Sequence, residues 1–145
     1  MNYYKEIKNE LINNEITKRV KDYSKNRSDL NTYYNVGKLL SEAGKHYGEG
    51  IIKEYSNKLT LELGKKYSVR YLFDMKKLYL FSKVHPLDAQ LTVSHYRILF
   101  ALEDINKINY YIKITISQNL SKRQLREKIK NKEYERLDEK TRKKD

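Results

Sequence analysis

The chain has 145 residues, no cysteine, and 31 lysines and arginines against 19 acidic residues, which give a net charge of +12. This length suits one domain with its own hydrophobic core. The absence of cysteine excludes disulfides, thiolate nucleophiles and cysteine-ligated metal sites. The N-terminus lacks a signal-peptide pattern, and no stretch approaches the roughly 18 apolar residues of a membrane span. We therefore expect a cytoplasmic protein without membrane contact.

The excess of positive charge predicts an anionic partner, and nucleic acid is the usual one. Lysine, asparagine, isoleucine and tyrosine are abundant throughout the chain. An AT-rich genome produces the same enrichment and raises the lysine content without reference to function. Composition alone therefore favours nucleic-acid binding without establishing it.

Apolar residues recur with the helical period from about Tyr3 to Tyr23 and again from about Leu30 to Tyr47, which predicts two helices. Polar residues 26–29 interrupt the pattern, and Ser28 or Asp29 can cap the second helix. Gly37 lies in the middle of that helix, where glycine costs up to about 1 kcal/mol relative to alanine. A close crossing with another helix at Gly37 would account for this cost.

Residues 51–83 form a helix-turn-helix pattern. Ile51, Tyr55 and Leu59 recur every four residues and predict the first helix of the pair. Gly64 stands where a helix C-terminus needs a positive φ, and Ser68 can cap the helix that follows. Two helices joined by about four residues around a glycine are the layout of a helix-turn-helix.

The second helix of this pair has an apolar side and a polar side. Leu72, Met75 and Tyr79 define the apolar stripe, which Val69, Phe73, Leu78 and Leu80 are expected to widen. Arg70, Asp74 and Lys77 fall opposite, and basic residues gather at the N-terminus, the end that recognition helices direct at DNA. A buried helix with a solvated polar seam has the same pattern. The candidate nucleic-acid-binding residues of this stretch are Lys65, Lys66, Ser68, Arg70 and Lys77.

Three further helices are predicted in the C-terminal third. The first covers residues 91–102, and Thr92 or Ser94 can cap it. Asp104 opens the next, although residues 110–116 are β-branched enough for a strand. Ser121 and Gln124 form a capping box that opens the last helix.

This last helix is strongly basic, because residues 122–132 contain six basic residues and one acidic residue. Its candidate phosphate-neutralising residues are Lys122, Arg123, Arg126, Lys128 and Lys130.

The pattern as a whole predicts an all-α fold, a compact bundle of about six helices around a helix-turn-helix core. We expect one domain over residues 1–132 and a charged tail over residues 133–145.

Few residues suit catalysis. The histidines at 46, 85 and 95 have no partner at metal-ligand spacing, and Ser94 and His95 are adjacent helical residues that do not face each other. Residues 138–140 match half of a metal-dependent nuclease site, but they lie in the tail with no strand around them. We therefore expect no catalytic residue, metal or cofactor, and a chain that is not an enzyme by itself. His95 is expected to hydrogen-bond a neighbouring helix end.

Four segments in order resemble the N-terminal domain of the YhcG family: residues 33–43, 47–82, 91–102 and 119–129. The matching motif residues are Gly64, Tyr67, Ser68, Leu72 and Met75 in one block and Leu91, Thr92, Ser94, His95, Tyr96 and Arg97 in another. The chain departs from the family at Val93 and Leu120, where tryptophan is common.

The resemblance implies a helical, winged-helix-like DNA-binding module. Family members usually continue into a nuclease domain of the PD-(D/E)XK superfamily, and this sequence stops before one. A fragment and a stand-alone relative from a phage, mobile element or defence locus both remain open.

Two hypotheses follow from the residues and the resemblance. The first is a non-catalytic module that binds nucleic acid, most simply double-stranded DNA. The second is an interaction adaptor or homodimeric subunit that recruits a nuclease or a ribonucleoprotein, because tyrosine is enriched in interface cores and the chain has 14 tyrosines. The sequence does not separate DNA, RNA and protein partners.

Overall fold

A computed structural model describes residues 2–18 and 25–137, which are all-α. Within them there are seven helices, where about six were predicted, and no strand. The all-α prediction is confirmed, and residues 110–116 are helical. The helices are α1 (Tyr3–Lys18), α2 (Lys25–Tyr47), α3 (Ile51–Leu63), α4 (Val69–Ser82), α5 (Val93–Phe100), α6 (Ile105–Ser117) and α7 (Lys122–Lys130).

The chain divides into two units, residues 1–87 with α1–α4 and residues 88–145 with α5–α7. The prediction of one domain that ends at residue 132 stays a prediction. The predicted end of the first helix, at Tyr23, and residues 138–145 lie outside the described residues. None of the described helices has both the length and the apolar content needed to cross a membrane.

In the first unit, α1 and α2 form an antiparallel pair. The side chain of buried Asn14 donates a hydrogen bond to the Asp29 carboxylate at 3.0 Å. The predicted break at residues 26–29 is wrong, because α2 already begins at Lys25. Asp29 is therefore inside the helix, where its carboxylate joins α2 to α1 instead of capping α2. The contact between α1 and α2 thus engages the side chain that the sequence predicted as a helix cap.

The crossing of α2 and α4 passes through Gly37, as predicted. A Cβ atom placed on Gly37 would lie 2.1 Å from the carbonyl oxygen of Met75 and 2.8 Å from Cβ of Tyr79. These distances are far below van der Waals contact, so only glycine permits this approach. Gly37 therefore fixes the position of α4 in the first unit.

Apolar side chains from all four helices and the α3–α4 turn form the core of the first unit. The buried set is Ile7, Leu11, Leu30, Tyr33, Val36, Leu40, Ala43, Ile51, Ile52, Tyr55, Leu59, Tyr67, Leu72, Met75 and Leu78.

The second unit has its own smaller core. Tyr111 is fully buried, and its hydroxyl accepts a hydrogen bond from the Tyr134 N–H at 3.2 Å. Residues 131–137, which follow α7 as turns, are thereby held against α6, and Tyr134 is buried. The buried apolar residues of this unit are Leu91, Tyr96, Leu99, Ile108, Tyr111, Ile114, Leu120, Leu125 and Tyr134.

Candidate nucleic-acid interface

The turn between α3 and α4 has the caps that the sequence predicts. Gly64 ends α3 with a φ of 65°, and its N–H donates to the carbonyl of Thr60 at 3.2 Å. Ser68 is extended, and its hydroxyl oxygen accepts a hydrogen bond from the Tyr71 N–H at 3.1 Å. Helix, turn and helix are therefore present, while a DNA-binding role for them remains a prediction.

Tyr67 anchors this turn to α3 through both of its backbone polar groups. Its carbonyl accepts a hydrogen bond from the buried Ser56 hydroxyl at 2.5 Å, and its N–H donates to the Thr60 hydroxyl oxygen at 3.1 Å. The ring of Tyr67 is buried and meets the ring of Tyr71 edge-on, with centroids 5.9 Å apart. Burial raises the pKa of Tyr71, so its phenol stays neutral. The turn consequently holds the N-terminus of α4 in one orientation.

Three of the cations predicted here are exposed on the turn and α4: Lys66, Arg70 and Lys77. The Lys77 ammonium lies 5.7 Å from the ring centroid of Phe73. Lys65 differs from them, because its ammonium lies 2.6 Å from the Glu15 carboxylate. The hydrogen bond to Glu15 raises the pKa of Lys65, and this contact reduces its availability for a phosphate.

Sequence reasoning placed Val69 and Leu80 in the core stripe of α4, and this was wrong. They are 42% and 43% exposed, respectively, whereas Leu72, Met75 and Leu78 are fully buried. At about 100° per residue, Val69 and Leu80 lie at the edge of the apolar stripe, and the neighbouring helices do not cover that edge. The exposed face of α4 therefore combines two apolar residues with Arg70 and Lys77. The periodicity of α4 cannot show which edge of its wide apolar stripe the neighbouring helices leave exposed to solvent.

Helix α7 supplies a second group of cations, in the second unit. The predicted capping box is confirmed: the Ser121 hydroxyl oxygen accepts the Gln124 N–H at 3.1 Å, and the Gln124 side chain accepts the Ser121 N–H at 2.9 Å. Leu125 is the buried residue that anchors α7. Four exposed cations share an arc of about 100° that begins about 60° from Leu125: Lys122, Arg123, Arg126 and Lys130.

Two predicted cations of α7 have carboxylate partners. The Lys128 ammonium lies 3.1 Å from the Glu133 carboxylate, which also accepts a hydrogen bond from the Tyr110 hydroxyl. Burial alone would raise the pKa of Glu133, but the hydrogen bonds from Tyr110 and Lys128 lower it below its ordinary value. Arg123 lies 3.8 Å from Glu127, with both side chains mostly exposed. Such an exposed pair is weak, so Arg123 remains open to a phosphate.

His95 connects the start of α5 to the segment that leads into α7. Its Nδ1 accepts a hydrogen bond from the Thr92 N–H at 2.9 Å, and its Nε2 lies 2.8 Å from the carbonyl oxygen of Leu120. Because Nδ1 faces an N–H donor and Nε2 faces a carbonyl acceptor, the imidazole is the neutral tautomer that carries its hydrogen on Nε2. The predicted hydrogen bond to a neighbouring helix end is confirmed, since Leu120 immediately precedes the cap of α7.

Replacing His95 with alanine should lower the melting temperature, because it leaves the buried Leu120 carbonyl and the Thr92 N–H without partners. The loss of the partner of a buried group such as the Leu120 carbonyl costs about 1–3 kcal/mol, whereas the Thr92 N–H belongs to an exposed residue and can bond to water. Differential scanning calorimetry measures the change, and amide exchange should locate it in α5 and α7. His46→Ala is the control, because His46 is exposed and its loss should change stability by less than about 0.5 kcal/mol. Equal melting temperatures for the two variants would contradict this role.

The ten predicted binding residues thus form two groups, one on the α3–α4 turn and α4, and the other on α7. The structure assigns these groups to separate units. Residues 138–140, which resemble half of a nuclease site, lie outside the described residues. Within residues 2–18 and 25–137, no three histidine or acidic side chains converge as a metal site would require.

Comparison with known proteins supplies the family. A family model described as the DUF1016 N-terminal domain matches residues 6–136. No curated protein and no solved structure matches the chain. The matched range spans most of the sequence, includes both groups of cations, and confirms the resemblance to the N-terminal domain of YhcG-like proteins. The chain therefore belongs to the DUF1016 N-terminal domain family.

Proposed function

We propose that the chain is a non-catalytic nucleic-acid-binding module that docks the turn and helix α4 on double-stranded DNA. The observation that carries the proposal is the ordered turn, which presents Lys66 and Arg70 as exposed cations at the N-terminus of α4, with exposed Lys77 about two turns further along the same face. The N-terminus of a helix carries a partial positive charge, so the helix dipole and these side chains attract an anion together. In this proposal, which the family resemblance motivates, the module belongs to a nuclease-associated, mobile-element or defence-related protein.

The exposed face of α4 has chemistry that suits the major groove. Arginine reads guanine through two hydrogen bonds, and apolar side chains contact the methyl group of thymine. Arg70 offers the first kind of contact, and Val69 and Leu80 offer the second. In this proposal Ser68 keeps its role as helix cap and places Arg70 at the entrance to the groove.

The cations of α7 serve as phosphate contacts in the same proposal. Phosphate contacts add affinity and orientation but carry no sequence information. Lys122, Arg123, Arg126 and Lys130 are exposed on one side of a well-capped helix, which gives them a fixed spacing. Lys128 contributes less, because Glu133 holds its ammonium.

Binding to duplex DNA should weaken steeply with salt. Each neutralised phosphate releases counterions and contributes a slope of about −0.9 in log affinity against log salt, so four to six contacts predict roughly −4 to −5. Fluorescence anisotropy with a labelled duplex measures this slope. The double variant Arg123→Ala/Arg126→Ala should flatten it by about one unit per lost contact. Affinity that does not change with salt, or no binding to duplex at all, would overturn the proposal.

A second candidate function is protein interaction, as an adaptor or homodimeric subunit that recruits a nuclease or a ribonucleoprotein. The exposed apolar side chains of the first unit favour it. Besides Val69 and Leu80, they include Tyr34 and Val84, which are 37% and 62% exposed. Interface cores are enriched in tyrosine and apolar side chains, so these exposed residues are the ones that a protein partner would cover.

A further inference from the structure

A tyrosine-lined pocket lies at the end of the first unit that is opposite to the α3–α4 turn. Helices α1 and α3 run parallel, because Lys8 pairs with Glu62 and Glu15 pairs with Lys65, both at 2.6 Å. The N-termini of both helices therefore meet at the same end, about 20 Å along α3 from the turn. The pocket there has a volume of about 510 Å³, and its lining includes Tyr3, Tyr4, Tyr47, Glu54, Tyr55 and Lys58.

The rings of this pocket are held in place by one another. Tyr4 and Tyr55 have ring centroids 5.4 Å apart, and Tyr3 stacks on His46 at 5.8 Å. Tyr55 is buried, while Tyr47 is 65% exposed and forms the rim. The pocket thus has a packed aromatic floor and one accessible aromatic wall.

A cation already lies against one of these rings. The ammonium of Lys58 is 4.4 Å from the ring centroid of Tyr4, within the roughly 6 Å range of a cation–π contact. This contact engages Tyr4, and Tyr55 is buried in the floor, so Tyr3 and Tyr47 are the rings that can meet a ligand. It also shows that a tyrosine face in this pocket accepts a positive charge.

The electrostatics of the pocket disfavour a further negative charge. Burial, and then Glu42 and Tyr47, raise the pKa of Tyr3. Burial, and then Tyr47 and Glu54, raise the pKa of Tyr55. Glu42 and Glu54 contribute to these shifts because a carboxylate disfavours a second negative charge beside it, and the same carboxylates attract a cation.

We propose that this pocket binds the guanidinium group of an arginine from a protein partner, between the tyrosine rings and the Glu54 carboxylate. A guanidinium is planar, so it stacks on aromatic rings and donates paired hydrogen bonds to a carboxylate. A lysine ammonium matches this combination less well, since it is a compact and strongly hydrated charge. The site does not depend on DNA binding, because the turn and the exposed face of α4 lie elsewhere in the unit.

A capped Gly-Arg-Gly peptide tests the proposal against its citrulline counterpart, which has the same shape without the charge. Titration of the arginine peptide into the ¹⁵N-labelled 145-residue chain should move the amide signals of residues 47–58 saturably, whereas the citrulline peptide should not move them. Glu54→Gln should weaken binding about threefold to fivefold, the range expected for a partly exposed ion pair. Lys58→Gln should strengthen binding, because it removes a like charge. Both side chains are exposed, so neither change should unfold α3.

The two variants are expected to change the affinity for the arginine peptide in opposite directions, which makes the test specific for a cation. A phosphate or another anion would bind more tightly to Glu54→Gln and less tightly to Lys58→Gln, and that result would overturn the proposal. Equal binding of the arginine and citrulline peptides, or the absence of saturable shifts, would overturn it as well. Duplex affinity measured on the Glu54→Gln variant should equal that of the wild type, which keeps this site distinct from the proposed DNA interface.

Discussion

Gly37→Ala should destabilise the first unit by about 3 kcal/mol, the upper end of the usual range for an overpacked core. The added Cβ atom would lie 2.1 Å from the Met75 carbonyl oxygen. That atom belongs to the backbone of α4, so no side-chain rotation can relieve the clash. Helices α2 and α4 must move apart instead, which removes contacts along their whole crossing. Urea unfolding followed by circular dichroism measures the loss.

Gly44→Ala is the matched control, since it makes the same substitution in the same helix. A Cβ on Gly44 would meet only the flexible Lys76 ammonium, at 4.0 Å. Alanine is favoured over glycine inside a helix by about 1 kcal/mol, so this variant should be slightly more stable than the wild type. Amide exchange should show the Gly37→Ala effect in α2 and α4. Similar stabilities for the two variants would contradict the close crossing.

The double variant Arg70→Ala/Lys77→Ala should weaken duplex binding by more than tenfold. One good base contact contributes about 1–3 kcal/mol of discrimination, and both side chains are exposed on the face proposed to enter the groove. The fold should be almost unaffected, because exposed charges on a helix contribute only about 0.3–0.5 kcal/mol each. Anisotropy on specific and unrelated duplexes measures the loss. Arg123→Ala/Arg126→Ala should instead weaken binding to all sequences alike.

Val69→Ser/Leu80→Ser is the counterpart that separates the two candidate functions. If α4 enters a DNA groove, removing these apolar contacts should change duplex affinity much less than removing the two cations. If the face is a protein interface, the serine variant should change the sedimentation behaviour or abolish partner capture. In that case Arg70→Ala/Lys77→Ala would leave DNA affinity at its wild-type value, and the DNA proposal would be rejected.

The sequence by itself determined most of the helix caps and most of the core of this protein. Caps at Gly64, Ser68, Asp104 and Ser121 are present as predicted, and of the two candidates for α5 it is Thr92, not Ser94, that caps the helix. Each cap is formed by groups only a few residues apart. The helical period also identified most of the core residues, because the apolar face of a helix is defined by residues three or four positions apart. Gly37 predicted the close helix crossing, because a glycine inside a long helix lowers helix stability and a close packing contact is a reason for its presence there.

Only the tertiary structure decided which surfaces remain open and which charges are engaged. The start of α2 at Lys25 and the Lys65–Glu15 pair both depend on α1, and the paired residues are 50 positions apart. Val69 and Leu80 are exposed because none of the helices that the structure describes covers that edge of α4. The tyrosine pocket likewise combines the beginning of α1 with the α2–α3 connection and α3. Such features depend on which helices meet in space, and the periodicity of one helix carries no information about its neighbours.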